Sequence, residues 1–270
     1  MDKQYILVLF SILLSLTLTS ALSAQSDPVE RLNESPRHHE WVTVEHGGRE
    51  VQTFVVYPQV SGSVPAVLLI HENRGLTDWV RGLADQVAEA GYIAVAPDLL
   101  SGEAPGGGKT ADFENSNAAR DAIYQLPAEQ VTADLKAVAG YAQNISAANG
   151  KLAVAGFCWG GSQTFRFATN YDEIDAACVF YGTGPESIDA LKQIQTTVYG
   201  FYGGNDNRVT STVESSEQMM DEAGKVYEPV VYENAGHGFM RSGEGAPADD
   251  PNRQARDAAW DRWMNILEDL

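Results

Sequence analysis

Lys151-Leu152-Ala153-Val154-Ala155-Gly156-Phe157-Cys158-Trp159-Gly160-Gly161 is the stretch on which the fold turns. Asn149-Gly150 ahead of it signals a turn, Lys151 to Ala155 reads as a strand, and the residues behind it to about Ala168 read as a helix. The chain therefore passes from strand to helix through a glycine-rich turn with Cys158 at its apex. So sharp a turn leaves no room for side chains two residues before and two after the apex, and Gly156 and Gly160 meet that demand. A thiol held there stands above the sheet edge at a helix N-terminus, where the aligned peptide dipoles favour thiolate. A glycine-rich turn with an incidental cysteine has the same composition, so this stretch alone leaves the chemistry open.

Working outward, strand and helix patterns alternate. Ala66 to Ile70 is continuously apolar, as expected of a central strand covered on both faces. A helical stretch from Asp78 to Ala90 ends at Gly91, and Tyr92 to Ala96 is the next buried strand, stopped by Pro97-Asp98. Residues 101–116 are glycine-rich, acidic and short of large apolar groups, which predicts a surface loop. Helices are expected over 117–125 and 128–143. Beyond the Cys158 helix come strands at 176–181, 196–201 and 230–232, a helix over 211–223 and a last helix from Gln254 to Leu267. At the other end, Trp41–Val44 and Val51–Tyr57 flank His46-Gly47-Gly48, a hairpin signal. Alternating strands and helices predict an α/β fold with a mostly parallel central sheet and helices on both faces. No internal repeat or composition shift marks a second domain.

Two further loops follow strands: Gly203-Gly204-Asn205-Asp206, and Ala235-Gly236-His237-Gly238-Phe239. Loops after the strands of a parallel sheet gather at one end of it, where sites form. Nucleophile, then acid, then histidine is a chain order that builds a catalytic triad on such a sheet. His237 would take the thiol proton and Asp206 would orient the imidazole. Singly, a loop aspartate is a turn residue and a loop histidine a solvated ring; jointly, in order and context, they point to catalysis. After the Ala66 strand comes His71-Glu72-Asn73-Arg74-Gly75. No second histidine follows His71-Glu72 at zinc-helix spacing, and the segment leaves a strand, so no metal is expected. If the fold is that of an α/β-hydrolase, this position supplies the second oxyanion donor, and the backbone N–H of Asn73 would join that of Trp159.

Taken together, Glu72, Gly156-Phe157-Cys158-Trp159-Gly160-Gly161, Asp206 and His237-Gly238-Phe239-Met240-Arg241 resemble the dienelactone hydrolase (carboxymethylenebutenolidase) family, from about residue 40 to the C-terminus. The resemblance implies an α/β-hydrolase fold and a Cys158, Asp206, His237 triad. It also implies that Glu72 helps to generate the thiolate, a role its own sequence context, that of a loop acid, does not assign. The expected activity is hydrolysis of a carboxylic ester or lactone through a thioester, with no cofactor. Family members that hydrolyse dienelactone hold its carboxylate with two arginines; the matching positions are Arg241 and, across a gap of uncertain length, Arg120, with Tyr124 four residues on. Two other expectations stay open: a general carboxylesterase or thioesterase that reads no carboxylate, and a binding or redox-sensing protein on the same fold.

Composition narrows the partners. The 270 residues carry 18 basic and 37 acidic side chains, a formal charge of −19. A surface that tracks nucleic acid needs a basic stripe, and anionic membranes repel such a chain, so the expected partner is a small molecule. A monomer is expected. With 44% apolar residues the chain can bury a large core. Residues 1–24 read as a signal peptide: Lys3, a mainly apolar run from Tyr5 to Leu18, then small residues to Ala24. The run is short for a spanning helix, which favours cleavage over an uncleaved anchor. Residues 25–39 then form an N-terminal extension and 40–270 the domain, in a periplasmic or secreted protein without stable membrane insertion. Export permits a disulfide, yet Cys178 lies in a buried strand pattern, and both cysteines are expected to stay unpaired.

Overall fold

The computed structural model describes residues 28–270; the signal peptide expected over 1–24 lies outside the described residues. In chain order these form α1 (Pro28–Glu34), β1 (His39–His46), β2 (Arg49–Val56), β3 (Val64–Ile70), α2 (Asp78–Glu89), β4 (Ile93–Pro97), α3 (Ser116–Ile123), α4 (Ala128–Gln143) and β5 (Ala148–Phe157). They continue through α5 (Trp159–Ala168), β6 (Ala176–Phe180), α6 (Ile188–Leu191), β7 (Thr197–Gly203), α7 (Asn207–Thr210), α8 (Val213–Glu222), β8 (Tyr227–Tyr232), α9 (Phe239–Ser242) and α10 (Pro251–Glu268).

One eight-stranded sheet results, ordered β1-β2-β4-β3-β5-β6-β7-β8. From β4 to β8 every neighbouring pair is parallel, and only β1 with β2 and β2 with β4 run antiparallel. This is the mostly parallel sheet that the alternating pattern predicts. The β1–β2 turn uses Gly47 and Gly48, whose φ values of +54° and +80° are the left-handed pair a two-residue hairpin demands.

Period-two alternation splits the sheet's side chains between two apolar layers. Val67, Leu69, Ala153, Ala155 and Phe157 point into a core shared with α2 and α10. Ala66, Leu68, Ile70, Leu152 and Val154 point into another shared with α4, α5 and α8. Phe157 is fully buried beside the elbow and stacks on Phe180 at 4.7 Å, while Trp263 of α10 meets it edge-on at 6.0 Å. Truncating such a ring to alanine costs about 3–5 kcal/mol, so the residue preceding Cys158 is a fixed anchor for the turn.

Three details depart from the expected element boundaries. The 25–39 extension contains a helix, α1, which packs Leu32 against α2 and ties itself down through Arg31–Glu244 at 2.5 Å. Just past it, Arg37 clamps the buried Asp85 at 2.9 and 2.6 Å. An additional helical turn, α7, precedes the helix expected over 211–223, which forms as α8, and the last helix starts earlier, at Pro251, because the Asp250 carboxylate caps it by accepting from Asn252 N–H at 2.8 Å. The 101–116 loop is pinned by Asp98, whose carboxylate accepts from the Thr110 hydroxyl at 2.6 Å and its N–H at 2.9 Å. Among the described residues no helix is long and apolar enough to cross a membrane.

Candidate active site

The turn between β5 and α5 is as tight as its glycines suggest. A Cβ on Gly156 would overlap the Gly160 carbonyl, and one on Gly160 would overlap the carbonyl oxygens of Ile70 and His71. Cys158 itself sits at φ 56°, ψ −115°, a strained backbone for a non-glycine residue and one that recurs at functional sites. Its N–H donates to the Phe180 carbonyl at 3.0 Å, and its own carbonyl accepts from Ser162 N–H at 3.2 Å, which holds the strained residue in place. Cys158 is partly exposed and Cys178 buried, both as free thiols.

The loops after β7 and β8 bring the other two residues to it. Asp206 is buried and accepts from His237 Nδ1 at 2.5 Å. Burial works to lower the imidazole pKa, yet hydrogen bonds with Cys158 and Asp206, together with electrostatic attraction from both, raise it above its ordinary value. Tyr181, at the end of β6, meets the His237 ring edge-on at 5.1 Å. Its backbone is left-handed, at φ 41°, and its buried hydroxyl has no hydrogen-bond partner among the described residues. Burial above all, then the charges of Glu72 and Cys158, push that hydroxyl well up against the opposing pull of Arg241. It is a protonated donor facing the cleft.

Glu72 and Asn73 leave β3 on the opposite side of the elbow. Glu72 is 9% exposed and accepts from Arg241 Nε at 2.9 Å. His71 is completely buried, and its surroundings fix its tautomer: Nε2 accepts from Leu99 N–H at 3.2 Å, so Nδ1 carries the proton and donates to the Glu72 carbonyl at 2.8 Å. Burial lowers its pKa, which keeps the ring neutral. The Glu72 carbonyl and the Asn73 N–H belong to one trans peptide and point in opposite directions, so anchoring the first aims the second. The His71 ring also stacks on Trp159, at 5.6 Å and 15°. Trp159 N–H stands in the first turn of α5, where no intrahelical acceptor exists. One buried ring thus braces both peptides expected to donate to an oxyanion.

These groups converge on a cleft of about 570 Å³ lined by Glu72, Asn73, Arg74, Tyr124, Cys158, Trp159, Ser162, Tyr181, Thr183, Arg208, His237 and Arg241. Tyr124 reaches it, its hydroxyl accepting from Asn73 Nδ2 at 3.1 Å. Arg120 does not: its guanidinium turns outward to Asp121 at 3.0 Å and lines no part of the cleft. Sequence reasoning missed Arg74, Arg208, Tyr181, Ser162 and Thr183. Arg74 and Arg208 each lie two residues beyond an assigned acid, Glu72 and Asp206, a proximity that could have flagged them. Tyr181 gave no signal beyond its apolar strand. Among the described residues no group of three or more His, Cys, Asp or Glu could hold a metal ion.

Sheet order, nucleophile elbow and the loops that carry the acid and the histidine define an α/β-hydrolase. The profile of the dienelactone hydrolase family matches residues 51–270, and the chain belongs to that family. An Escherichia coli (strain K12) protein named "Putative carboxymethylenebutenolidase" is 31% identical over 221 residues, 78% of each chain. "Carboxymethylenebutenolidase" of Pseudomonas putida is 30% identical over 186 residues, 66% of this chain and 76% of its own. The crystal structure titled "Putative Dienelactone Hydrolase" from Klebsiella pneumoniae subsp. pneumoniae MGH 78578 aligns with a TM-score of 0.75 at 25% identity, covering 87% of this chain and 99% of that one. Membership of that family makes the protein a hydrolase of small molecules.

Proposed function

We propose that this protein hydrolyses a carboxylic ester or lactone through a thioester on Cys158. His237, its Nδ1–H held by Asp206, takes the Cys158 proton on Nε2, with Glu72 assisting as the second acceptor in the cleft. The thiolate attacks the carbonyl carbon, and the N–H groups of Asn73 and Trp159 receive the developing oxyanion. The C–O bond breaks and the departing alkoxide takes the proton from His237; in a lactone it stays tethered to the acyl group. Water, deprotonated by His237, then attacks the thioester and expels the Cys158 thiolate. Sulfur attacks well at neutral pH and leaves well, which suits activated esters and enol-lactones better than amides.

The observation that carries this reading is the 2.5 Å Asp206–His237 hydrogen bond behind the elbow thiol, with thiol and carboxylate together raising the imidazole against its burial. The test is steady-state hydrolysis of p-nitrophenyl acetate. Cys158→Ala and His237→Ala should each lose about 10³-fold or more in kcat, and turnover surviving in Cys158→Ala would end the proposal. One observation favours a second reading, that of a general carboxylesterase. The arginine pair implied by the family resemblance is incomplete, since Arg120 faces Asp121 and Arg241 is engaged by Glu72. We also propose export of the protein, supported by the order of charged, apolar and small residues over 1–24; N-terminal sequencing of the protein recovered from its host would find residues near 25 if so and Met1 if not.

A further inference from the structure

We infer that Arg31 of the N-terminal extension is a positioning residue for the active site: its ion pair with Glu244 holds the segment that carries His237 and Arg241. This rests on the proposed hydrolysis at Cys158. Residues 236–244 run from the loop after β8 through α9, and they place His237 and Arg241 in the cleft. The short helix is closed on itself. The Gly238 carbonyl accepts from the N–H groups of Arg241 and Ser242, each at 3.0 Å, and the Phe239 carbonyl from Gly243 N–H at 2.8 Å. A turn bonded in this way moves as one piece. Phe239 and Met240 bury its inner face in the core, a non-directional contact that leaves the orientation of the piece to polar anchors at its ends. At the front, the Asn252 side-chain oxygen accepts from Gly236 N–H at 2.8 Å. At the back stands Glu244.

Glu244 is a buried carboxylate, and an ionised carboxylate is kept out of water only where donors and a countercharge surround it. Trp79 Nε1 donates to it at 2.8 Å and Gln86 Nε2 at 2.9 Å, both from α2. Arg31 of α1 completes the set at 2.5 Å. Arg256 of α10 stands behind Gln86, donating to its Oε1 at 2.5 Å, and adds its charge from there. The cation in direct contact thus comes from a seven-residue helix that lies outside residues 51–270, the part matched by the family profile. The extension has a second clamp with a different reach. Asp85 of α2 accepts from the Ser35 hydroxyl at 2.6 Å and from Arg37 at 2.9 and 2.6 Å. That clamp ties the extension to α2, whereas Arg31 reaches the segment that bears the histidine. The two arginines therefore separate holding the extension in place from holding the active site.

The test measures kcat and KM for p-nitrophenyl acetate, per titrated Cys158 thiol, together with the rate at which iodoacetamide alkylates Cys158. The proteins compared are the wild type, Arg31→Met, Glu244→Gln, the double variant and Arg37→Met, each held well below its unfolding midpoint. Arg31→Met should lower kcat about 10- to 100-fold with little change in KM, the scale of a small misplacement of a catalytic group. Alkylation should slow in step, because a displaced His237 no longer takes the thiol proton. Glu244→Gln keeps the side-chain shape and leaves no unpaired anion, so it reports on the ion pair even if Arg31→Met does not fold; its kcat should fall about threefold or more. The double variant should be no slower than the slower single one, as expected of two residues acting through one contact. Arg37→Met should lower the unfolding midpoint and keep the wild-type kcat. Wild-type kcat and alkylation rate in folded Arg31→Met or in Glu244→Gln would overturn the assignment, as would a loss of kcat in Arg37→Met equal to that in Arg31→Met. Absence of Cys158-dependent turnover in the wild type would instead overturn the hydrolytic reading, and the alkylation rates would still report on the Arg31 tie.

Discussion

His71 offers a demanding test of how the site is held, because it touches no substrate and acts through two peptides. His71→Phe keeps a ring of similar shape to stack on Trp159 and removes both hydrogen bonds. Leu99 N–H, fully buried, then loses its only acceptor among the described residues, which costs about 1–3 kcal/mol. The Glu72 carbonyl loses its 2.8 Å donor and retains the longer bond from Gly75 N–H at 3.3 Å, a further loss of about 0.5–1.5 kcal/mol. Destabilisation of about 1.5–4.5 kcal/mol is measurable against the usual 5–15 kcal/mol of a domain and leaves the protein folded if its margin is typical. Outright removal of an oxyanion donor costs about 10²–10³ in kcat. With the Gly75 bond still constraining the peptide, we expect about 10- to 100-fold in kcat and little change in KM. His71→Asn, which offers an amide N–H to the Glu72 carbonyl, should recover most of that loss. Urea denaturation and p-nitrophenyl acetate kinetics measure the two effects separately. A Phe variant that loses stability yet keeps the wild-type kcat would show that His71 does not aim the Asn73 peptide.

Asp206→Asn replaces the acceptor at His237 Nδ1 and should lower kcat/KM for p-nitrophenyl acetate by about 10³–10⁴. It should also change how stability depends on pH. The folded pKa of His237 is raised, so its proton stabilises the native state below the unfolded value near 6.5, and that contribution is lost as pH rises through the folded value. Urea denaturation should therefore show a larger deficit for Asp206→Asn at pH 5.5 than at pH 8.5, and equal deficits would contradict the coupling. For the second cysteine, burial pushes the Cys178 thiol up to about 12. Native protein should take up one carbamidomethyl group from iodoacetamide at pH 8, on Cys158, and a second only in denaturant; rapid labelling of Cys178 in the native state would contradict its burial.

The elbow and the sheet were legible because they rest on local rules. A buried strand, a glycine two residues to either side of Cys158 and a following helix leave the chain one way to turn, and the overlaps at Gly156 and Gly160 are the steric demand itself. Asp206 and His237 were legible because loops after parallel strands arrive at one edge whatever their detailed conformation. Arg120 shows the limit. Its helical spacing from Tyr124 was visible, but Tyr124 is the C-cap of α3, while Arg120 sits on the helix body and turns to Asp121. The rotation of a surface helix about its axis is set by packing such as that of Ala119 and Ile123, which spacing alone does not reveal. The helix α1 stayed hidden for a related reason. Seven residues carry one buried leucine and no apolar period, and the tie that anchors them comes from Glu244, more than 200 residues away. His71 read as one half of an absent zinc motif because its two hydrogen bonds go to backbone groups, which leave no trace in the sequence.

The central claim is a covalent acyl group on sulfur, and mass spectrometry of the intact protein mixed with p-nitrophenyl acetate and quenched in acid tests it directly. A transient 42 Da adduct is expected, by the arithmetic of one acetyl group replacing one proton, and peptide mapping should place it on Cys158. It should appear with the burst of p-nitrophenolate, decay as substrate is exhausted, and be absent from Cys158→Ala. Turnover at the wild-type rate by Cys158→Ala, or an adduct that forms on another residue while the ester is consumed, would contradict it.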